Sequence, residues 1–106
     1  MLNVVVLTTG PLFDLATAKQ HLRIEHADDD ALIETYADAA VLACLDHCGL
    51  RLVPQEAEPA FRAAALLMLG DLFAYRETGQ VGSVSSPIQV SATAKALLAP
   101  YRIIRV

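Results

Sequence analysis

Between Asp28 and Gly49 the chain runs DDDALIETYADAAVLACLDHCG, three acids and then a long stretch free of proline and glycine until its last residue. Unpaired N–H groups and the positive dipole end at a helix start favour acids, so Asp28 or Asp29 is expected to cap a helix that Gly49 stops. Leu32, Ile33, Tyr36, Ala39, Ala40, Ala43 and Cys44 recur with the i, i+3, i+4 rhythm of a buried face. Val41, Leu42 and Leu45 make the second half apolar around most of its circumference. About 20 residues make a rod of roughly 30 Å. A rod this greasy must be covered on more than one side, by its own chain or by a neighbour.

The rest of the chain supplies partners for that rod. Asp14 can cap a short helix over about Leu15–Leu22, with Leu15, Ala18 and Leu22 on one face. LRLVPQEAEP reads as a loop, and Pro59 suits the first turn of a third helix running to about Thr78, with Gly79 as its stop. From Ala63 to Leu69 that helix is apolar on nearly every face, which predicts a central position. GQVGSVSSPIQVS is a loop, after which Ser91 caps a short last helix, ATAKALLA, ended by Pro100. Residues 1–10, with Val4, Val5 and Val6, read as extended, as does the closing YRIIRV. The expectation is one all-α domain over residues 1–106. It is a small bundle of about four helices, two long and two short, with short extended N- and C-terminal segments.

Composition narrows the function classes. At 106 residues the chain can bury a single core. Its apolar fraction of 55% exceeds the ~45–50% usual for globular domains, although alanine supplies part of the excess. The longest apolar run, AAALLMLG, is far short of a membrane span. MLNVVVLTTG has no basic leader and too short an apolar part for a signal sequence, so synthesis in the cytosol and no membrane partner are expected. Subunit interfaces are then the expected sink for the surplus apolar surface. A net charge of −4 without a basic run argues against a protein whose task is to grip nucleic acid. It does not argue against one that DNA merely passes.

Several residue clusters invite a chemical reading. A calcium loop counted from Asp28 would need glycine at its sixth position and glutamate at its twelfth; Ile33 and Ala39 stand there instead. Asp30, Glu34 and Asp38, spaced i, i+4, i+8, form an acidic stripe, either a solvated face or one that meets a basic surface of another subunit. Cys44, His47 and Cys48 share a helical face and could hold zinc, but a closed site wants a fourth ligand and no further cysteine exists. Two thiols buried in a core are the plainer reading. Asp46, His47 and Cys48 have the residue types of a thiol enzyme, yet sequence neighbours on a helix splay by about 100°. The residues support no catalytic site, cofactor or metal. The alternative function from the residues alone is a small helical metal- or thiol-dependent regulatory protein.

LATAKQHLRIEHADDDALIETYADAA resembles the opening signature of the head–tail connector family of long-tailed bacteriophages and prophages. Downstream, FAYRETG and ALLAPYRIIRV are similar to that family's later segments, so the likeness runs from about Leu12 to Ile103. One departure is Phe73, where members often carry a tyrosine three residues before the Arg-Glu pair, which removes a hydroxyl. The resemblance implies a structural virion protein at the head–tail junction, made in the host cytoplasm. Such a protein is a ring homo-oligomer under the portal that completes the head after DNA packaging. It docks the next connector or tail-completion protein, and DNA passes through without specific binding. In that setting Lys19 and Arg23, an i, i+4 pair, are expected to meet the Asp30, Glu34 and Asp38 stripe of an adjacent subunit, with Arg76 and Arg102 as further interface candidates. The tail YRIIRV is expected either to add to a partner's sheet or to pair with NVVV of its own chain.

Overall fold

Asp14 starts the first helix. In the computed structural model, which describes residues 4–8, 10–78 and 92–102 and only the backbone of residues 75–78, α1 spans Leu15–Leu22. Asp14 has the extended backbone that a capping residue needs, and its Oδ1 accepts from the Thr17 N–H at 2.8 Å and the Thr17 hydroxyl at 2.7 Å. These bonds hold the Asp14 carboxyl below its ordinary value, the backbone N–H contributing most. The helix ends on Arg23 at φ 60, ψ 43, in the left-handed region where glycine is usual. The Arg23 N–H donates to the Gln20 carbonyl and the Ile24 N–H to Lys19, closing the last turn.

The second helix, α2, spans Asp30–Cys48. Asp29 stands at the cap position, but with ψ near 14 its backbone is not extended, and its side chain makes no capping bond. Gly49 ends α2 at φ 73, with its own N–H on Asp46 and the Leu50 N–H on Leu45. The buried stripe is Ile33, Ala37, Ala40, Val41, Cys44, Leu45 and Cys48. It is rotated from the expected face: Leu32, Tyr36, Ala39 and Ala43 are half-buried on one flank. Where apolar residues surround a helix, the positions of its neighbours decide which of them point inward.

A 3-10 turn at Gln55–Ala57 leads into α3, Glu58–Thr78, with Pro59 in its first turn. Phe61, Ala64, Ala65, Met68, Leu69 and Phe73 form the buried side of α3, which packs against α1, α2 and α4 (Ala92–Leu98). The central placement expected for α3 is thus observed. Ala63 and Leu67 face outward, as do Asp71 and Ala74. Leu98 of α4 is fully buried, and a 3-10 turn at Ala99–Tyr101 then lays Tyr101 against Phe61 with ring centroids 6.3 Å apart.

Among the described residues there is no β-strand, only an isolated antiparallel bridge between Leu7 and Gly10. Gly10 at φ 132 lets the chain turn back so that its carbonyl accepts from the Val6 and Leu7 N–H groups. The Val6 carbonyl accepts from the Val53 N–H at 2.8 Å, and Val6 itself is buried. The N-terminal segment is therefore anchored on the α2–α3 connection. The Gly79 stop, the serine-rich loop, the Ser91 cap and the last four residues of YRIIRV lie outside the described residues. The described part is an all-α bundle of 40 × 33 × 19 Å. Its thin dimension is about two helix layers, so both long helices keep an outer face.

Candidate functional site

The acidic stripe does not lie on the solvated face of α2. Asp30, Glu34 and Asp38 are all half-buried, along the seam between the core and the outside. The exposed positions of α2 are Ala31, Thr35, Leu42 and Asp46, with Leu42 51% exposed. The corresponding strip of α3 is Pro59, Ala63, Leu67, Asp71 and Ala74, with Leu67 37% exposed. Each outer face carries a single charged residue, which is sparse for a surface of this length.

Lys19 reaches over from α1, and its ammonium lies 2.8 Å from Asp30 Oδ1. That oxygen is shut off from solvent and accepts no hydrogen bond of good geometry, so the nearby cation is what compensates it. The pair joins α1 to α2 within one chain, whereas Lys19 was expected to serve a neighbouring subunit. Arg23 is exposed at the end of α1 and has no carboxylate within 4.0 Å among the described residues. The side chain of Arg76 lies outside the described residues. Arg102 is exposed at the opposite end of α2 from Asp30.

Both thiols face the core. Cys44 Sγ lies 3.6 Å from Met68 Sδ, and the Cys48 thiol points at the Leu98 carbonyl at 3.9 Å. Burial pushes the Cys44 thiol up to about 12, and Cys48 is raised in the same way, with Arg102 pulling it back in part. His47 is half-buried beside them. Among the described residues no three His, Cys, Asp or Glu side chains are grouped closely enough to hold a metal ion. The arrangement is that of two neutral thiols packed among apolar atoms, and it offers no thiolate to a ligand.

Docking of α4 against the end of α2 creates a feature that was not read from the sequence. Cys48 on the Leu98 carbonyl brings His47 together with Lys95, one turn before Leu98, and with Arg102, just past the 3-10 turn. Partial burial and the positive charges of Arg102 and Lys95 hold the His47 imidazole below its ordinary value. Lys95 is the sole charged residue of α4, and that isolation was the one available signal.

A family model, Phage gp6-like head-tail connector protein, matches residues 13–102, from the residue before the α1 cap to the exit of the last turn. The chain belongs to that family. No curated protein and no solved structure matches it. The family is a structural one, so the features of this connector to explain are its surfaces. Phe73, the departure noted above, is buried in the connector and meets Tyr36 edge-on at 6.5 Å, so an aromatic ring still fills that position. Among the described residues no helix is long and apolar enough to cross a membrane.

Proposed function

We propose that copies of this connector form a ring beneath the portal of a phage head, closing the head after DNA packaging and presenting a platform for the next connector or tail-completion protein. The family match over residues 13–102 carries this reading. The outer strips support it: Ala31, Thr35 and Leu42 on α2 and Ala63, Leu67 and Ala74 on α3 are nearly free of charge. A ring requires two different patches per copy, joined head to tail until the rotation closes, and two separate helix faces can supply them. Residues 1–106 act as one unit in this scheme. Arg23, Glu34, Asp38, Arg76 and Arg102 are the interface candidates. DNA passes without being held, because half-buried carboxylates offer phosphates nothing to bind. The site of action is the head–tail junction of the virion.

Electron microscopy of the purified connector mixed with the portal of its own phage tests the proposal. A ring of extra density, coaxial with the portal, is expected. A portal that remains bare at saturating connector, with the connector monomeric, would count against it.

A further inference from the structure

The connector carries opposite charges at the two ends of α2. Around its start stand Glu25, Asp28, Asp29 and Asp30, with Glu34 and Asp38 following along its first half, and Lys19 pairs with Asp30. At its finish, α4 and the last turn bring Lys95 and Arg102, both exposed, beside His47, with Arg51 exposed just past Gly49. Among the described residues no Asp or Glu lies within 4.0 Å of the Lys95 ammonium or the Arg102 guanidinium. The two groups stand apart along α2, about 28 Å from its finish to its start and roughly 15 Å from its finish back to Asp38. They therefore cannot neutralise one another within one molecule.

We propose that Lys95 and Arg102 of one copy dock on the acidic flank of α2, at Asp28 and Asp38, of the next copy. This rests on the ring reading and specifies its polarity. A contact between unlike ends of a rigid rod is heterologous by construction, which is what a ring needs and a two-fold dimer does not. Charge complementarity also sets the register of successive copies, because sliding the basic group along the rod brings it to Asp46, a single carboxylate on the outer face. The two acids named exclude Asp30, which already serves Lys19.

A charge-swap experiment on the full chain, read by analytical ultracentrifugation at low and high salt, decides it. One variant carries Lys95→Glu with Arg102→Glu, and the other Asp28→Lys with Asp38→Lys. Both should melt as the parent does. Each alone should self-associate more weakly by on the order of tenfold, and an equimolar mixture should recover association, since each then offers the other its complement. Added salt should weaken the parent and the mixture alike. Variants that assemble as well as the parent overturn the inference and leave the ring reading standing. Weakened variants that stay apart when mixed also overturn it, and point to DNA or the head as what the basic group meets. A parent that remains monomeric at all concentrations and on its portal overturns both.

Discussion

The two ends of α2 are built on different principles. At its finish, beneath the exposed Lys95 and Arg102, the side chains of Cys44, Cys48, Met68 and Leu98 are sealed from solvent and neutral, and their positions are set by contact. At its start, Asp30 pairs with Lys19 of α1, and Asp28 and Asp29 before it and Arg23 at the end of α1 are exposed or half-buried residues. The sealed end gains its free energy from burial, which tolerates no change of volume or charge. The charged corner gains little from any single pair, because water competes for each group. The first is therefore where the fold is vulnerable. The second is where surface chemistry can vary with the partner.

Substitution at the two ends should separate them by magnitude. Leu98→Ala at the sealed end removes a fully buried side chain of α4, which packs chiefly on α3. A loss of about 2–5 kcal/mol in urea unfolding is expected. A loss under about 1 kcal/mol would mean that the sealed end is as tolerant as the charged corner, and the contrast would be broken.

The thiols give the same contrast a pH signature. Burial raises Cys44 from 9.0 to about 12, with repulsion from the neighbouring Cys48 adding to it. The unfolded chain releases this proton near the ordinary value, while the folded chain retains it. The stability contributed by the neutral thiol is therefore complete below pH 9 and declines as the pH climbs towards about 12. Cys44→Ala should cost about 1 kcal/mol at neutral pH and flatten the alkaline decline measured by denaturant titration at successive pH values. An unchanged alkaline slope in the variant would assign the decline to other groups.

Much of this layout was legible in the chain itself. Asp14 with Thr17, Gly49 and Pro59 mark their helix boundaries by local chemistry, and α1 and α3 follow those marks. The rotation of α2 was not legible. From Val41 to Leu45 apolar residues occupy several faces, and only the neighbours decide that Val41 and Leu45 go inward while Leu42 stays out. The Lys19–Asp30 pair, the Val6–Val53 bond and the grouping of His47 with Lys95 and Arg102 join segments distant in sequence, and no local pattern encodes them. Asp29 shows the limit of a local rule: the residue type and position suit a cap, but the backbone angle does not.

At the charged corner, Arg23 should respond in the opposite direction from Leu98. It occupies the left-handed conformation at the end of α1 that Gly49 occupies at the end of α2. A side chain there costs roughly 1–2 kcal/mol, partly offset by the greater freedom that glycine has when unfolded. Arg23→Gly should therefore stabilise the isolated chain by about 0.5–1 kcal/mol in urea melts. If Arg23 also touches a neighbouring copy, assembly should weaken as the monomer gains stability, a combination that general damage to the fold cannot produce. A loss of stability would show that the arginine side chain makes contacts that outweigh the strain.

The smallest effect is expected where a count of ion pairs would place a large one. Lys19 and Asp30 are 2.8 Å apart, with side chains 17% and 33% exposed. Solvent reaches both residues and screens the pair, while Asp30 Oδ1 itself is shielded. Asp30→Asn keeps the shape and removes the charge, so the loss in thermal or urea unfolding should stay under about 1 kcal/mol and shrink further in added salt. A loss of about 3 kcal/mol or more, insensitive to salt, would instead be the response of a buried pair stripped of one partner. The charged corner would then be a second sealed region, and its acids would be part of the fold before they could serve a neighbour.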